Sequence, residues 1–384
     1  MIRYQVPYTG LPQQVAAIKQ DLLTAFEQVL DSGRYILGPH LAAFEEQFAH
    51  LSGTRFAVGV ANGTCALQMV WQVLGLGPGD EVITAPNSFV ASASSVAMTG
   101  AKPVFVDIGP DLNIDPERIT AAITPRTRGI VPVHLTGRPA QMPEITSIAR
   151  QHGLFVLEDA AQAVGARRDG RPVGSWGNAA GFSLHPLKNL FVYGDGGVIT
   201  TSDQSLADKL RQVRNHGLIN RECCEFWSGN NRLDEMQAAL LLVHLRALEQ
   251  WTERRRALAH RYHELLSAVV QVPEEGPGEY CVYQTYVIQA EARDELHSHL
   301  QEHGVEALIH YRTPIHLQPA AAQLGYGPGD FPVAEGAAGR ILSLPLFPTM
   351  THGQQDQVAD FIHDFYKKRP AYRAEGQSIC ESSI

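Results

Sequence analysis

Lysine is scarce in this chain: its six copies stand at positions 19, 102, 188, 209, 367 and 368. Lys188 lies in unusual company, the apolar and small residues of Gly181-Phe182-Ser183-Leu184-His185-Pro186-Leu187-Lys188-Asn189-Leu190, followed by Tyr193-Gly194-Asp195-Gly196-Gly197. The pattern predicts a short strand over 179–184 and a turn at His185-Pro186 that presents the lysine. The glycine cluster then lets the chain double back into a second strand over 198–201. Desolvation in such a loop disfavours the ammonium form and leaves a nucleophilic amine. A solvated lysine on a strand exit is the ordinary alternative. What accompanies Lys188 therefore decides its reading.

Three other places carry chemistry. Asn62-Gly63-Thr64 falls between a predicted strand and a predicted helix. Glycine permits close backbone approach, a helix start offers unpaired N–H groups, and threonine adds a hydroxyl, which together make a phosphate cradle. The same tripeptide also serves as a plain N-cap. Phe89 opens a later helix, where its ring either packs in the core or stacks on a flat ligand. Asp159 follows Leu154-Phe155-Val156-Leu157-Glu158 at the end of a predicted buried strand. A carboxylate at the end of a buried strand must be paired or hydrogen-bonded, either to an ordinary cation or to a cationic ring nitrogen. Gln162, three residues on, can reach the same ligand.

The elements that must position these residues alternate. Strands are predicted over 55–60, 81–85, 103–107, 129–134 and 154–159, with helices over 64–74, 89–98, 116–123 and 142–151 between them. Two helices precede them. The first, over 12–31, carries Ile18, Leu22, Phe26, Val29 and Leu30 as its apolar stripe, and the second buries Leu41, Phe44, Phe48 and Leu51. Short apolar strands joined by helices predict an α/β fold with a mostly parallel sheet covered on both faces. In such sheets ligands bind beyond the carboxyl ends of the strands, where all four features fall. After 201 the rhythm changes. Helices over 204–213 and 233–266, a Gly/Pro/Glu-rich seam at 273–279, strands over 280–288 and 305–309, and helices over 293–303 and 354–367 suggest a smaller α+β domain. The expected division is a large domain over 12–250, a small C-terminal domain over 251–370 and a loose tail over 371–384.

The totals exclude other classes. A formal net charge of -9 argues against nucleic acid or an anionic membrane as partner. No segment reads as a signal peptide or a bilayer span, so the cytoplasm is the expected location. The five cysteines form no C-x-x-C pair. His297, His303, His310 and His316 are spaced unlike metal ligands, so no metal is expected. The glycine fingerprints of dinucleotide and P-loop sites are absent, which disfavours a nucleotide-dependent oxidoreductase. One common cofactor needs cradle, flat-ring contact, carboxylate and lysine together: pyridoxal 5'-phosphate (PLP, or PMP when aminated), with its phosphate, ring, protonated nitrogen and aldehyde.

The chain resembles the DegT/DnrJ/EryC1/StrS aminotransferases over about 32–361. The resemblance rests on Ser32-Gly33-Arg34-Tyr35-Ile36-Leu37-Gly38-Pro39, Ala61-Asn62-Gly63-Thr64, Gly100-Ala101-Lys102-Pro103-Val104-Phe105-Val106-Asp107, Glu158-Asp159-Ala160-Ala161-Gln162-Ala163, the lysine stretch, and Arg232-Leu233-Asp234-Glu235-Met236-Gln237-Ala238-Ala239. It implies the PLP-dependent transferase fold of type I, with a seven-stranded-type sheet. It also implies that Lys188 binds the cofactor aldehyde and shuttles protons. Asp159 would pair with the ring nitrogen, Phe89 would stack, Gln162 would lie near the ring hydroxyl, and Gly63, Thr64 and Ser183 would hold the phosphate. Asn230, or less favourably Asn231, would reach the phosphate of a second subunit, making a homodimer with shared sites. The family often has threonine just before the lysine, where this chain has Leu187.

The implied reaction moves an amino group from glutamate or glutamine to a keto sugar, nucleotide-linked or a cyclitol, in antibiotic or surface-glycan biosynthesis. The sugar would lie among Tyr35, Pro39, His185, Tyr193, His310, Tyr311 and His316. A sugar dehydratase and a non-catalytic regulator are the alternatives. The former carries histidine at the lysine position, and the latter could dispense with both Lys188 and Asp159.

Overall fold

The fold is described from a computed structural model covering residues 4–369; the expected tail over 371–384 lies outside the described residues. Seven strands build the central sheet: β1 (Phe56–Val60), β2 (Glu81–Thr84), β3 (Lys102–Phe105), β4 (Thr127–Val131), β5 (Phe155–Asp159), β6 (Ala179–Ser183) and β7 (Gly197–Thr201). Their spatial order is β1-β7-β6-β5-β4-β2-β3. Strands β3, β2, β4, β5 and β6 are parallel, and β7 runs antiparallel to both β6 and β1. The start of β7 thus lies beside the ends of its neighbours, with Gly197 paired to both Val60 and Ser183.

Helices cover both faces, which is why the strands are mostly apolar and buried. The elements α1 (Leu11–Ser32), α2 (Pro39–Leu51), α3 (Gly63–Val73) and α4 (Ala91–Ala97) lead to α5 (Pro116–Ala122), α6 (Met142–His152) and α7 (Gln204–Val213). Two details differ from the sequence reading. Helix α1 buries Leu22, Ala25 and Val29, whereas Phe26 and Leu30 face outward. Helix α4 starts at Ala91, so Phe89 sits in the turn before it rather than in its first turn.

The long α8 (Glu235–Leu266) is one unbroken helix that serves two cores. Ala238, Leu241 and Leu248 pack with the sheet face that includes Phe182 and Leu190. Leu258, Tyr262 and Leu266 pack with the C-terminal core. That core gathers β8 (Tyr286–Gln289), α9 (Arg293–Glu302), β9 (Ile341–Leu344) and α11 (His352–Lys367), and Val6 joins it; α10 (Pro332–Arg340) packs instead with Phe105 and Ile130 of the sheet through Ala334 and Ala337. The expected strand over 280–288 is divided by Tyr283, whose backbone is left-handed at φ 47°. Segment 305–309 forms no strand, making only isolated bridges from Val305 to Val6 and from Leu308 to Ser343. Helix α10 and strand β9 had no sequence signal. Among the described residues, no helix is long and apolar enough to cross a membrane.

Candidate active site

The strand exits converge on one edge of the sheet. Asn62 caps α3, its side chain accepting the Cys65 N–H at 2.8 Å. That cap leaves the Gly63 and Thr64 N–H groups without acceptors inside the helix. The cap and Gly63 pass directly over the next strands. A Cβ placed on Gly63 would stand 2.8 Å from the Ser183 Cβ, and one on Gly197 would meet the Asn62 carbonyl at 2.5 Å. Glycine at both positions lets the helix start, the Ser183 hydroxyl and the β7 start crowd into one concavity.

Asp159 is 5% exposed. Its Oδ2 accepts the Ser92 hydroxyl at 2.6 Å and its Oδ1 accepts the Ala161 N–H at 3.2 Å. Alternation along β5 turns its neighbour Glu158 to the other face. There the fully buried Glu158 carboxylate accepts from Gly174 N–H at 2.9 Å and Gly177 N–H at 2.7 Å and pairs with the buried His134 ring at 2.9 Å. Gln162 is held by its carbonyl oxygen, which accepts the Thr136 N–H at 2.6 Å. This turns its amide NH2 toward the Tyr311 hydroxyl, 3.4 Å away. The exposed Phe89 ring lies 5.8 Å from the Tyr311 ring, centre to centre.

Lys188 is anchored on both sides. Its N–H closes the turn onto the His185 carbonyl at 2.8 Å. The Leu187 carbonyl accepts from Gln284, and the buried Asn189 amide donates to the Val164 carbonyl at 2.8 Å. Burial pushes the Lys188 ammonium below the usual lysine range, and the Asp159 charge offsets part of that shift. The lysine and the carboxylate therefore share one field. His310 belongs to it too: burial first, then the Lys188 charge, pull its ring down to about 4. Its Nδ1 shares a 2.9 Å hydrogen bond with the Ser343 hydroxyl. Burial, with a further push from Asp159, raises the Tyr311 phenol to about 12.

The residues expected around a sugar divide. His310 and Tyr311 stand at Lys188, Asp159 and Gln162. His185 is exposed beside the lysine turn, its Nδ1 accepting the Leu187 N–H at 3.2 Å. Tyr193 is partly exposed, and its hydroxyl pairs with the buried His244 Nε2 at 3.1 Å. Tyr35 and Pro39 lie apart from these, in the 33–39 loop, which lines a surface concavity of about 600 Å³. The fully buried Glu235 carboxylate fixes that loop by accepting the Gly38, His40 and Leu41 N–H groups. His316 needs correction. It is 2% exposed, bonded to Glu335 at 3.1 Å and packed on Phe331, so it offers no surface to a substrate.

The family model for the DegT/DnrJ/EryC1/StrS aminotransferase family matches residues 16–363. The chain belongs to that family. This aminotransferase is 45% identical to a pleiotropic regulatory protein of Geobacillus stearothermophilus, over 94% of its own length and 99% of the relative's. It is 42% identical to the dTDP-3-amino-3,4,6-trideoxy-alpha-D-glucose transaminase of Streptomyces venezuelae, covering 95% of this chain and 97% of that one. Among solved structures it is similar to S. venezuelae DesV in complex with a ketimine intermediate, with a TM-score of 0.92, 42% identity, and 95% and 99% of the two chains covered.

The aminotransferase is thus an enzyme with the type I fold, and its cofactor is PLP. Its own residues fit that group. The glycine-floored cradle with free N–H groups suits a phosphate, and Asp159 Oδ1, which accepts a single N–H at 3.2 Å among the described residues, has capacity for a further donor. Sequence reasoning missed Ser92, Thr136 and Gln284, which hold Asp159, Gln162 and the lysine loop. Each makes its contact across a long stretch of chain, and none carries a local signal.

Proposed function

We propose that this aminotransferase moves an amino group from glutamate or glutamine to a keto sugar carried on a nucleotide, or to a keto-cyclitol. The reading rests above all on Lys188 and Asp159, which lie in one electrostatic field on adjacent strand exits. The transaminase name of the Streptomyces relative supports the sugar-nucleotide substrate. A purely regulatory role, suggested by the name of the Geobacillus relative, leaves a desolvated lysine facing a buried carboxylate without purpose.

The Gly63 and Thr64 N–H groups and the Ser183 hydroxyl bind the phosphate, Phe89 covers one ring face, and Gln162 donates toward the ring hydroxyl. Asp159 accepts the ring N–H and keeps it protonated. When bound, PLP supplies an aldehyde that condenses with amines and a protonated ring that takes up electrons. Lys188 Nζ takes the proton from the amine-bearing carbon of the donor and returns it on the way to product, a step typically worth about 10²–10⁴-fold. His310 stays neutral at physiological pH and lines the substrate side, with Tyr311, Tyr193 and His185.

The active unit is a homodimer with shared sites, working in the cytoplasm. Outward-facing Leu23, Phe26 and Leu30 of α1 and the following Tyr35-Ile36-Leu37 loop leave apolar side chains exposed that a second copy would cover. Asn231 is committed within its own chain, its side chain accepting from Cys65 and its carbonyl from Ala61 N–H at 2.9 Å. The adjacent Asn230 side chain is exposed and makes no hydrogen bond among the described residues, which favours Asn230 as the residue that reaches the partner's phosphate.

The test is the absorbance of the PLP-loaded protein. A visible band that bleaches with glutamate or glutamine and returns with a keto-sugar nucleotide is expected. A band that ignores every amino donor while the protein eliminates water from the sugar would move the assignment to a dehydratase.

A further inference from the structure

Two serines with no assigned part stand behind Asp159. Ser92 is fully buried, Ser88 is 4% exposed, and both precede or open α4. Ser92 Oγ lies 2.6 Å from Asp159 Oδ2, and Ser88 Oγ lies 2.9 Å from Ser92 Oγ. A hydroxyl has one proton. The Phe89 carbonyl is a second possible acceptor for Ser92, at 3.3 Å. The charged and much closer carboxylate takes the proton, because hydrogen bonds to ionised acceptors are shorter and stronger. Ser92 Oγ is then free to accept from Ser88, which sets the direction of the chain: Ser88 to Ser92 to Asp159.

The consequence lies in how the carboxylate is oriented. With Oδ2 occupied by Ser92 and Oδ1 touched, among the described residues, only by the long Ala161 N–H contact, one oxygen is fixed and the other keeps capacity for a further donor. The same short segment carries Phe89: the Ser92 N–H donates to the Phe89 carbonyl at 3.2 Å. One residue therefore ties the backbone of Phe89, the expected ring-stacking residue, to the carboxylate that lies 67 positions from Ser92 in sequence.

We propose that Ser92, supported by Ser88, is a positioning residue that holds the Asp159 carboxylate aimed at the ring nitrogen of PLP. The inference rests on the cofactor reading above. It assigns Ser92 no contact with substrate or cofactor.

Removing a donor to a buried charge weakens whatever depends on that charge. Ser92→Ala should weaken PLP binding to the apoprotein about tenfold, as expected for one hydrogen bond to a charged group. The ring nitrogen should also be less firmly protonated. A less positive ring withdraws fewer electrons, so the nitrogen linked to Lys188 holds its proton more tightly. The pH midpoint of the visible absorption band should therefore move upward. Ser88→Ala should shift the midpoint the same way by less, and Ser92→Thr, which retains the hydroxyl, should lie nearer the parent than Ser92→Ala does.

The experiment measures the PLP dissociation constant and the band midpoint for the full-length protein and for Ser92→Ala, Ser88→Ala and Asp159→Asn, with circular dichroism to check folding. The proposal is overturned if Ser92→Ala, or Ser88→Ala should the former not fold, matches the parent in both readouts while Asp159→Asn changes them. If Asp159→Asn itself changes neither, the cofactor reading fails instead.

Discussion

Gly63 and Ser183 approach so closely that a single methyl on the glycine would stand 2.8 Å from the serine Cβ. They come from the start of α3 and the end of β6, and the antiparallel β7 lies between β6 and β1 at that edge. The contact pins the helix start, with its free N–H groups, to the strand that leads to Lys188. Gly63→Ala should force the two apart, costing about 1–3 kcal/mol of stability as an overpacked site and weakening PLP binding. Denaturant unfolding of the apoprotein and a PLP titration read the two effects separately. Parent-like values in both would show that this approach does not build the cradle.

Lys188 is expected to be indispensable to turnover and dispensable to the fold. Lys188→Ala should reduce the amino-transfer rate by at least about 10²–10⁴-fold with an unchanged circular dichroism spectrum. The lysine also opposes stability. Its folded pKa is depressed, so the unfolded chain binds more protons between that value and the ordinary lysine pKa. In that window stability rises with pH, and below it the penalty is fully present. Lys188→Met should therefore raise the melting temperature of the apoprotein at neutral pH, and the gain should shrink as pH climbs toward the ordinary lysine range. A melting temperature that does not rise would mean the ammonium is better solvated than its burial implies.

Asp159 raises the Lys188 pKa while burial lowers it. Removing the charge leaves burial unopposed. Asp159→Asn should move the pH midpoint for chemical labelling of Lys188 in the apoprotein to lower pH, and should cut turnover by about 10²–10³-fold, as for loss of one electrostatic partner of a reacting group. An upward or absent shift would separate the two residues.

Much of this site is legible in the sequence because a parallel sheet writes its exits plainly. Strands covered on both faces are mostly apolar, so Asp159, Ser183 and the Asn62-Gly63-Thr64 turn stand out as polar ends. What supports them is not legible. Ser92 lies in Ala91-Ser92-Ala93-Ser94-Ser95, where nothing distinguishes the one serine that meets Asp159. Helix α10 buries only Ala334, Ala337 and Ala338, and small residues leave no stripe to read. Segment 305–309 looks like a strand by composition, but Val305 and Leu308 bridge to different partners, so no ladder forms. On α1 both Ala25 and Phe26 fit a helical stripe, and only packing against α8 chooses the smaller one. His316 reads as a polar residue near the site, yet its ring is sealed between Glu335 and Phe331.

Two histidines predict an acid limit. Burial depresses His244 from 6.5 to about 4, and His310 falls to the same range through burial and Lys188. Between those pH values the unfolded chain takes up protons that the folded chain refuses, so stability falls as pH drops from 6.5 toward 4. One pKa unit is worth about 1.4 kcal/mol, so each histidine removes about 3 kcal/mol by the lower end. Carboxylates titrate in the same region, so the difference between parent and His244→Phe isolates one histidine. Among the described residues the ring is bonded only to Tyr193 and is packed against Phe191 and Trp251, so Phe keeps an aromatic ring of slightly larger volume in place. The variant should gain on the parent steadily as pH falls and hold level with itself above 6.5. Parallel stability curves for the two proteins would mean that His244 takes up its proton in the fold as readily as outside it.

The proposed sharing of the site between subunits makes a sharper demand on Asn230. In a mixed dimer of Lys188→Ala and Asn230→Ala chains, the second chain keeps its lysine and would receive the first chain's intact Asn230. One complete site is rebuilt, and neither homodimer has any. Mixing the two inactive proteins under exchange conditions should therefore restore activity, up to about one quarter of the parent for statistical pairing with one competent site in each mixed dimer. Asn231→Ala chains should not complement in this way, because Asn231 bonds to Cys65 of its own subunit. If Asn230→Ala is active alone, or if mixing with Lys188→Ala restores nothing despite demonstrated exchange, the phosphate is held within one chain. The outward-facing Asn230 would then need another partner.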